Sequence, residues 1–347
     1  MKAAIIEDKG IIAVRDVPEP EMGPYGARCE ILYGALCTGT DTHLLNRDLP
    51  FRNWVRYPCI LGHESIGRVV ETGENVRHLE TGDLVTRVGC PPVGDVDSAW
   101  GGFAEQGMAT DWRAMQEDGL PKEEWKDKRV NRTLPAGTDP ALATMIITWR
   151  ETYSQLTNLG IGPGKTLAVL GSGSNGLAFA AHGRNMGART VVLVGSALRE
   201  PQAERLGVDL FADYKAEDVM TRALTVSAEG FDVVLDAVGN QRNADLGLSL
   251  LRDGGTFCAY GVDDVSGIEH RRELARGEFN IQPPGYDEGE VHDEVVALFR
   301  DGKLDASIWI DKQHVFTLDE IQAALDAARA RTLVKPLIRV CRQASAT

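Results

Sequence analysis

Close cysteine pairs are missing from this sequence. Its six cysteines, Cys29, Cys37, Cys59, Cys90, Cys258 and Cys341, are scattered along 347 residues. That spacing excludes a disulfide framework and a four-cysteine zinc lobe, and most of the six are expected to be buried small hydrophobes. Positive charge is also short: 37 Lys and Arg face 51 Asp and Glu, for a formal charge of −14. Nucleic acid and anionic membrane surfaces attract basic patches, so neither is an expected partner. Long apolar runs are absent as well, and the opening "MKAAIIEDKGIIAVRDV" has no basic segment leading into one. A cytoplasmic protein is expected. Internal repeats and low-complexity tracts are likewise missing.

What is present exceeds the size at which a single hydrophobic core stops growing, so two domains are expected. The first part reads as short strands with glycine-rich turns: "KAAIIED", "CEILYGAL", "IGRVVETG" and "GDLVTRVG". From about Gly164 the rhythm becomes strand, helix, strand in "TLAVLGSG", "NGLAFAAHGRNMG", "TVVLVGS", "EPQAERLG", "FDVVLDAVG" and "TFCAYGV". Such alternation predicts a parallel, doubly wound sheet. The polar stretch from Asp111 to Arg132 reads as a surface excursion. Two helical runs and a terminal strand, "KPLIRV", close the chain.

In "TLAVLGSGSNGLAFAAHG", Gly171, Gly173 and Gly176 form a GxGxxG spacing between an apolar strand and a helix. The first glycine permits a tight turn, the second lets backbone approach a pyrophosphate, and the third lets helix pack on strand. The helix amino terminus then turns free N–H groups toward the phosphates. At the end of the next strand an NAD site would place an acid on the ribose 2′-hydroxyl. Here stand Gly195 and Ser196, with Arg199 three residues on. A 2′-phosphate would meet no repulsion there and would gain a hydroxyl and a guanidinium, which points to NADP. The alternative is that Arg199 merely opens a solvated helix face and Glu200 takes the acidic role for NAD.

The segment "GALCTGTDTHLL" gathers Cys37, Thr38, Thr40, Asp41 and His43, and "LGHESIG" adds His63 and Glu64. A thiol, two imidazoles and two carboxylates this close suggest a catalytic zinc. Read blandly, Thr40 is a turn hydroxyl, Asp41 an Asx turn, His43 a capping histidine and His63 a core residue. Trp100 and Trp149 read as packing residues.

Together these motifs resemble the medium-chain dehydrogenase/reductase superfamily of zinc alcohol and polyol dehydrogenases. "GHESIGRVVETGENV" looks like its GHE signature, and "TGTDTH" like its metal and proton-relay loop; "GFDVVLDAVG", "LRDGGTFCAYG" and "FTLDEIQAALDAARARTLVKPLIRV" follow in order. The resemblance implies a GroES-like, β-rich catalytic domain from residues 1–150 and 283–347. A Rossmann domain of residues 151–282 is inserted in it, with the active site in the cleft and a homodimer or homotetramer as the assembly. It implies that Thr40 hydrogen-bonds the substrate oxygen and passes a proton by way of the nicotinamide ribose toward His43, and that Asp41 fixes the tautomer of the ligand His63. It also places Tyr214 beside the adenosine phosphate with Ser196 and Arg199, as in NADP-dependent secondary alcohol dehydrogenases.

Two departures from that pattern stand out. The structural-zinc lobe is reduced to Cys90, and the catalytic ligands are irregular. In the family the metal cysteine immediately precedes the glycine of a G-T-D triplet, a slot that falls here on Thr38. Cys37 is displaced by one, which along a strand would turn it to the opposite face; an inserted residue or bulge would restore it. The third ligand position falls near Ile147, with Glu151 a helical turn beyond. The expectation is a weak zinc site of Cys37, His63 and Glu64, or none. The leading function is an NADP-dependent oxidoreductase acting on a small secondary alcohol, polyol or sugar and its carbonyl. Alternatives are a zinc-free quinone or enoyl reductase of the same fold and a nucleotide-binding protein without catalysis.

Overall fold

The computed structural model describes residues 1–264 and 267–341. They divide into two compact units: Met1–Ile147 with His292–Phe299 and the stretch from Asp305 onward, and Thr148–Val291 with Arg300–Leu304.

The second unit is built on a six-stranded sheet. Across it run Leu210–Asp213, Thr190–Gly195, Thr166–Leu170, Phe231–Asp236, Leu251–Ala259 and Phe279–Ile281. All five pairings are parallel. Thr166–Leu170 and Thr190–Gly195 are buried at every position, which explains why they read as unbroken apolar runs rather than as alternation. Ala168, Leu170, Val192, Val194, Val234, Leu248 and Phe257 form one core cluster, and each large side chain there contributes roughly 1.5–3 kcal/mol of burial. Chain order reverses between Thr166–Leu170 and Phe231–Asp236, so the loops after Leu170 and Asp236 lie side by side. Ala237 N–H donates to Leu170 O (2.8 Å) across that switch point, where ligands of doubly wound sheets bind.

The first unit is mostly antiparallel. One sheet runs Val315–Thr317, Leu337–Arg339, Gly26–Ala35, Glu64–Thr72 and Leu84–Thr86, with Gln106–Thr110 also paired to Gly26–Ala35. A second runs Ile11–Asp16, Lys2–Asp8, Cys59–Ile60 and Asp97–Ser98. In Gly26–Ala35 burial alternates from Gly26 to Ile31 and the alternation then breaks. Its register with Glu64–Thr72 shifts between Arg28 and Cys29 and again between Ile31 and Tyr33. Each shift is a bulge that re-aims the side chains beyond it.

This strand ends at Ala35, and a helix, Thr38–Asn46, begins three residues later with Cys37 as its N-cap. The excursion from Asp111 contains the short helices Trp112–Glu117 and Lys122–Trp125 and a 3₁₀ turn, Lys126–Val130. It is not all surface, since Trp125 is buried and stacks near Trp112 (6.1 Å). Among the described residues no helix is long and apolar enough to cross a membrane.

Candidate functional site

The 38–46 helix carries Thr40, Asp41 and His43, the candidate reactive groups of the first unit. Asp41, in its first turn, is fully buried, and its Oδ2 accepts the N–H of Cys37 (2.9 Å). The carboxylate thus satisfies a donor that the helix start would otherwise leave open. Its other oxygen lies 3.4 Å from His63 Nδ1. That contact sets the imidazole's orientation and leaves Nε2 on the opposite side, 3.9 Å from Glu64 Oε1. His63 follows Gly62, whose φ of +100° and approach to Phe103, 2.6 Å from where a Cβ would sit, admit only glycine.

The donor atoms of Cys37, His63 and Glu64 lie within 4.8 Å of one another, the only such grouping among the described residues. Thiolate, imidazole and carboxylate are a fitting donor set for zinc at a catalytic site. The ring of His63 is pushed down by burial, but Asp41 and the Cys37 thiol outweigh this and hold its pKa well above the usual histidine value.

Cys37, not Thr38, joins this group. The alternation that would turn Cys37 away presumes a strand, and the chain has already left the strand and capped a helix at this point. Glu151 is not part of the group either. Its Oε2 is 3.4 Å from the Tyr260 hydroxyl in the second unit. Thr40 Oγ1 lies 3.6 Å from Cys37 Sγ, and His43, one turn further along the helix, has Nδ1 3.9 Å from Asp48 Oδ2.

Two neighbours escaped the sequence reading. Lys335, fully buried, pairs its ammonium with Glu64 Oε2; the one hint was a lysine inside the apolar run "LVKPLI". Trp100, read as packing, stands 4.9 Å from the His63 ring and 4.3 Å from the ring of exposed Trp54. It holds a left-handed backbone at φ +64°, unusual for so large a residue.

The second unit holds the glycine-rich turn, the candidate dinucleotide site. Gly171 has φ +113°, and a Cβ on Gly176 would fall 1.8 Å from Gly171 O, so loop and helix close on each other as the motif requires. A Cβ on Gly173 would meet nothing within 4 Å. The open face at Gly173, at the amino end of Ser174–Asn185, is the room a pyrophosphate needs. Asp236 is buried at the neighbouring strand end and accepts from Val238 N–H (2.9 Å) and Gly239 N–H (3.0 Å), fixing the opposite loop.

At the next strand end Ser196 N–H donates to Ser172 Oγ (3.0 Å), and Ser196 Oγ caps a 3₁₀ turn that ends on Arg199. Tyr214 N–H donates to Gly195 O (2.9 Å). Gly195, Ser196 and Tyr214 therefore meet at the ends of adjacent strands.

Residues 24–122 match the model of the alcohol dehydrogenase GroES-like domain, and residues 175–299 that of the zinc-binding dehydrogenases. The chain is 28% identical over 326 residues to an L-threonine 3-dehydrogenase of Cronobacter sakazakii, covering 92% of this chain and 93% of the other. It is 26% identical over 348 residues to a sorbitol dehydrogenase of Halalkalibacterium halodurans, covering 97% and 99%. A Sinorhizobium meliloti protein assigned as a zinc-binding dehydrogenase and solved bound to NADP superposes with a TM-score of 0.77 at 25% identity, covering 97% and 98%.

Proposed function

We propose that this chain, which belongs to the zinc-type medium-chain dehydrogenase/reductase superfamily, is an NADP(H)-dependent oxidoreductase that interconverts a small secondary alcohol, polyol or sugar and its carbonyl. The observation that carries the reading is the convergence of Cys37, His63 and Glu64 beside Thr40. The dinucleotide supplies or accepts the hydride, and a zinc held by those three side chains would supply a Lewis acid.

The chain's own groups do the rest. The Thr40 hydroxyl accepts the hydrogen bond of an alcohol substrate and, as the carbonyl forms, takes that proton while giving up its own toward His43. His43 lies three residues along the same helix face and receives the released proton on the way to solvent. Asp41 keeps His63 oriented through the 3.4 Å contact with Nδ1. Preference for NADP(H) is read from Ser196, Arg199 and Tyr214 and from the lack of an acid at the end of Thr190–Gly195.

A zinc-free reductase is the second reading. It is favoured by Lys335, whose ammonium already neutralises Glu64. Metal analysis of protein purified without chelator separates the two. The zinc reading expects near one zinc per chain, lost in Cys37→Ser and kept in Thr38→Ala. Metal-free protein that still oxidises NADPH with quinones or enones, but not with ketones, overturns it.

A further inference from the structure

We propose that Arg242, assisted by Lys215, is a specificity-determining residue that reads the phosphate on the adenosine ribose of NADP(H); the inference rests on the cofactor reading above. Tyr214 is the anchor. Its backbone is tied to Gly195, so it stands where the second strand ends, beside the place an adenosine ribose occupies in such a sheet.

Two cations converge on it. Arg242 Nη2 donates to Tyr214 O (2.5 Å), and the guanidinium carbon lies 5.5 Å from the centre of the Tyr214 ring. Lys215 Nζ lies 5.7 Å from the same ring.

Neither cation has a carboxylate within ion-pair distance among the described residues, although acids outnumber bases 51 to 37 in the chain. Elsewhere in this unit Arg184, Arg252, Arg271 and Arg272 each hold a carboxylate. Asp213 and Glu217 each lie two residues from Lys215 in sequence, and Asp213 Oδ1 accepts the backbone N–H of Lys215 (3.2 Å); Asp245, three residues from Arg242, pairs with Arg271 instead. Two cations without a direct ion pair thus stand together at the strand end where an anion would distinguish NADP from NAD.

Arg242 is also held in place. It belongs to the first turn of the helix Gln241–Leu250, which Asn240 caps through Asn243 N–H (2.9 Å) and which Asp236 braces through Asn243 Nδ2 (2.8 Å). Its bond to Tyr214 O uses one of five guanidinium donors, leaving the others for a phosphate. Charge-assisted bonds from a group already oriented contribute more than those from a free side chain.

The test is calorimetric titration of the full-length protein with NADP+, NAD+, 2′-AMP and 5′-AMP. Arg242→Gln is expected to lose roughly tenfold in affinity for NADP+ and 2′-AMP, with NAD+ and 5′-AMP nearly unchanged. Arg242→Lys should keep most of the preference, and Lys215→Gln should lose part of it. The gap between the two cofactors should narrow as salt rises. Equal losses for both cofactors, or an Arg242→Gln that binds NADP+ as the wild type does, overturn the inference. A wild-type protein that favours NAD+ overturns the cofactor reading itself.

Discussion

His63 and His182 are both buried, and their surroundings drive them in opposite directions. At His63 burial favours the neutral ring, but Asp41 and Cys37 outweigh it. Among the described residues no carboxylate counters burial at His182. It lies on the helix Ser174–Asn185, edge-on to the Tyr153 ring at 5.2 Å, and burial pushes it down to about 3. In the unfolded chain a histidine takes up its proton near pH 6.5. The unfolded state therefore gains protons that the folded state refuses, and stability is lost as pH falls from about 6.5 toward 3. The slope is about 1.4 kcal/mol per pH unit, with no effect above that window. Urea denaturation of wild type and His182→Leu at pH 7 and pH 5 checks this: the loss on acidification should be smaller in the variant. Parallel losses would assign the acid sensitivity to other groups.

At the scale of elements, the six-residue helix Trp112–Glu117 is too short to persist on its own and depends on Asp111. This buried carboxylate accepts from Ala114 N–H (3.0 Å), Arg77 N–H (2.7 Å) and His78 N–H (2.7 Å). Burial pushes the carboxyl up, but those donors outweigh it and hold it below the ordinary aspartate range. Asp111→Ala removes the cap and strands the two donors from Arg77 and His78, at about 2–3 kcal/mol. Limited proteolysis should then cut first between residues 111 and 132, and Asp111→Asn should be milder. An unchanged cleavage pattern in Asp111→Ala would show that Trp112 and Trp125 hold the excursion by packing alone.

Over the whole molecule, five of the six thiols are buried and one, Cys37, is half-buried. Burial pushes Cys29, Cys59, Cys90 and Cys258 up to about 12, and Cys341 higher still. Thiolate is the reacting species, so these five are inert at neutral pH. Metal-stripped native protein should show a single fast thiol toward an aromatic disulfide reagent, absent in Cys37→Ser. All six should react in denaturant. Two or more fast thiols in the native state would mean that one of the units opens readily.

The strand and helix alternation from about Gly164, the doubly wound sheet and the dinucleotide turn were legible in the sequence because each rests on local pattern. The apolar runs "TLAVL" and "TVVLVG" flank glycines whose spacing alone dictates a tight turn and a close helix. His63 and Glu64 stood out for the same reason, as neighbours in a short motif. Tertiary structure alone decided the rest. Whether Cys37 or Thr38 meets His63 depended on where the strand Gly26–Ala35 ends and the helix begins, and its register shifts arise from pairing with Glu64–Thr72. Lys335 reaches Glu64 across 271 residues of chain, and Arg242 reaches Tyr214 across 28. Periodicity reports only which face of its own element a residue occupies. Which charge that face meets is set by long-range packing, and at these positions that pairing decides which ligands and cations the two sites present.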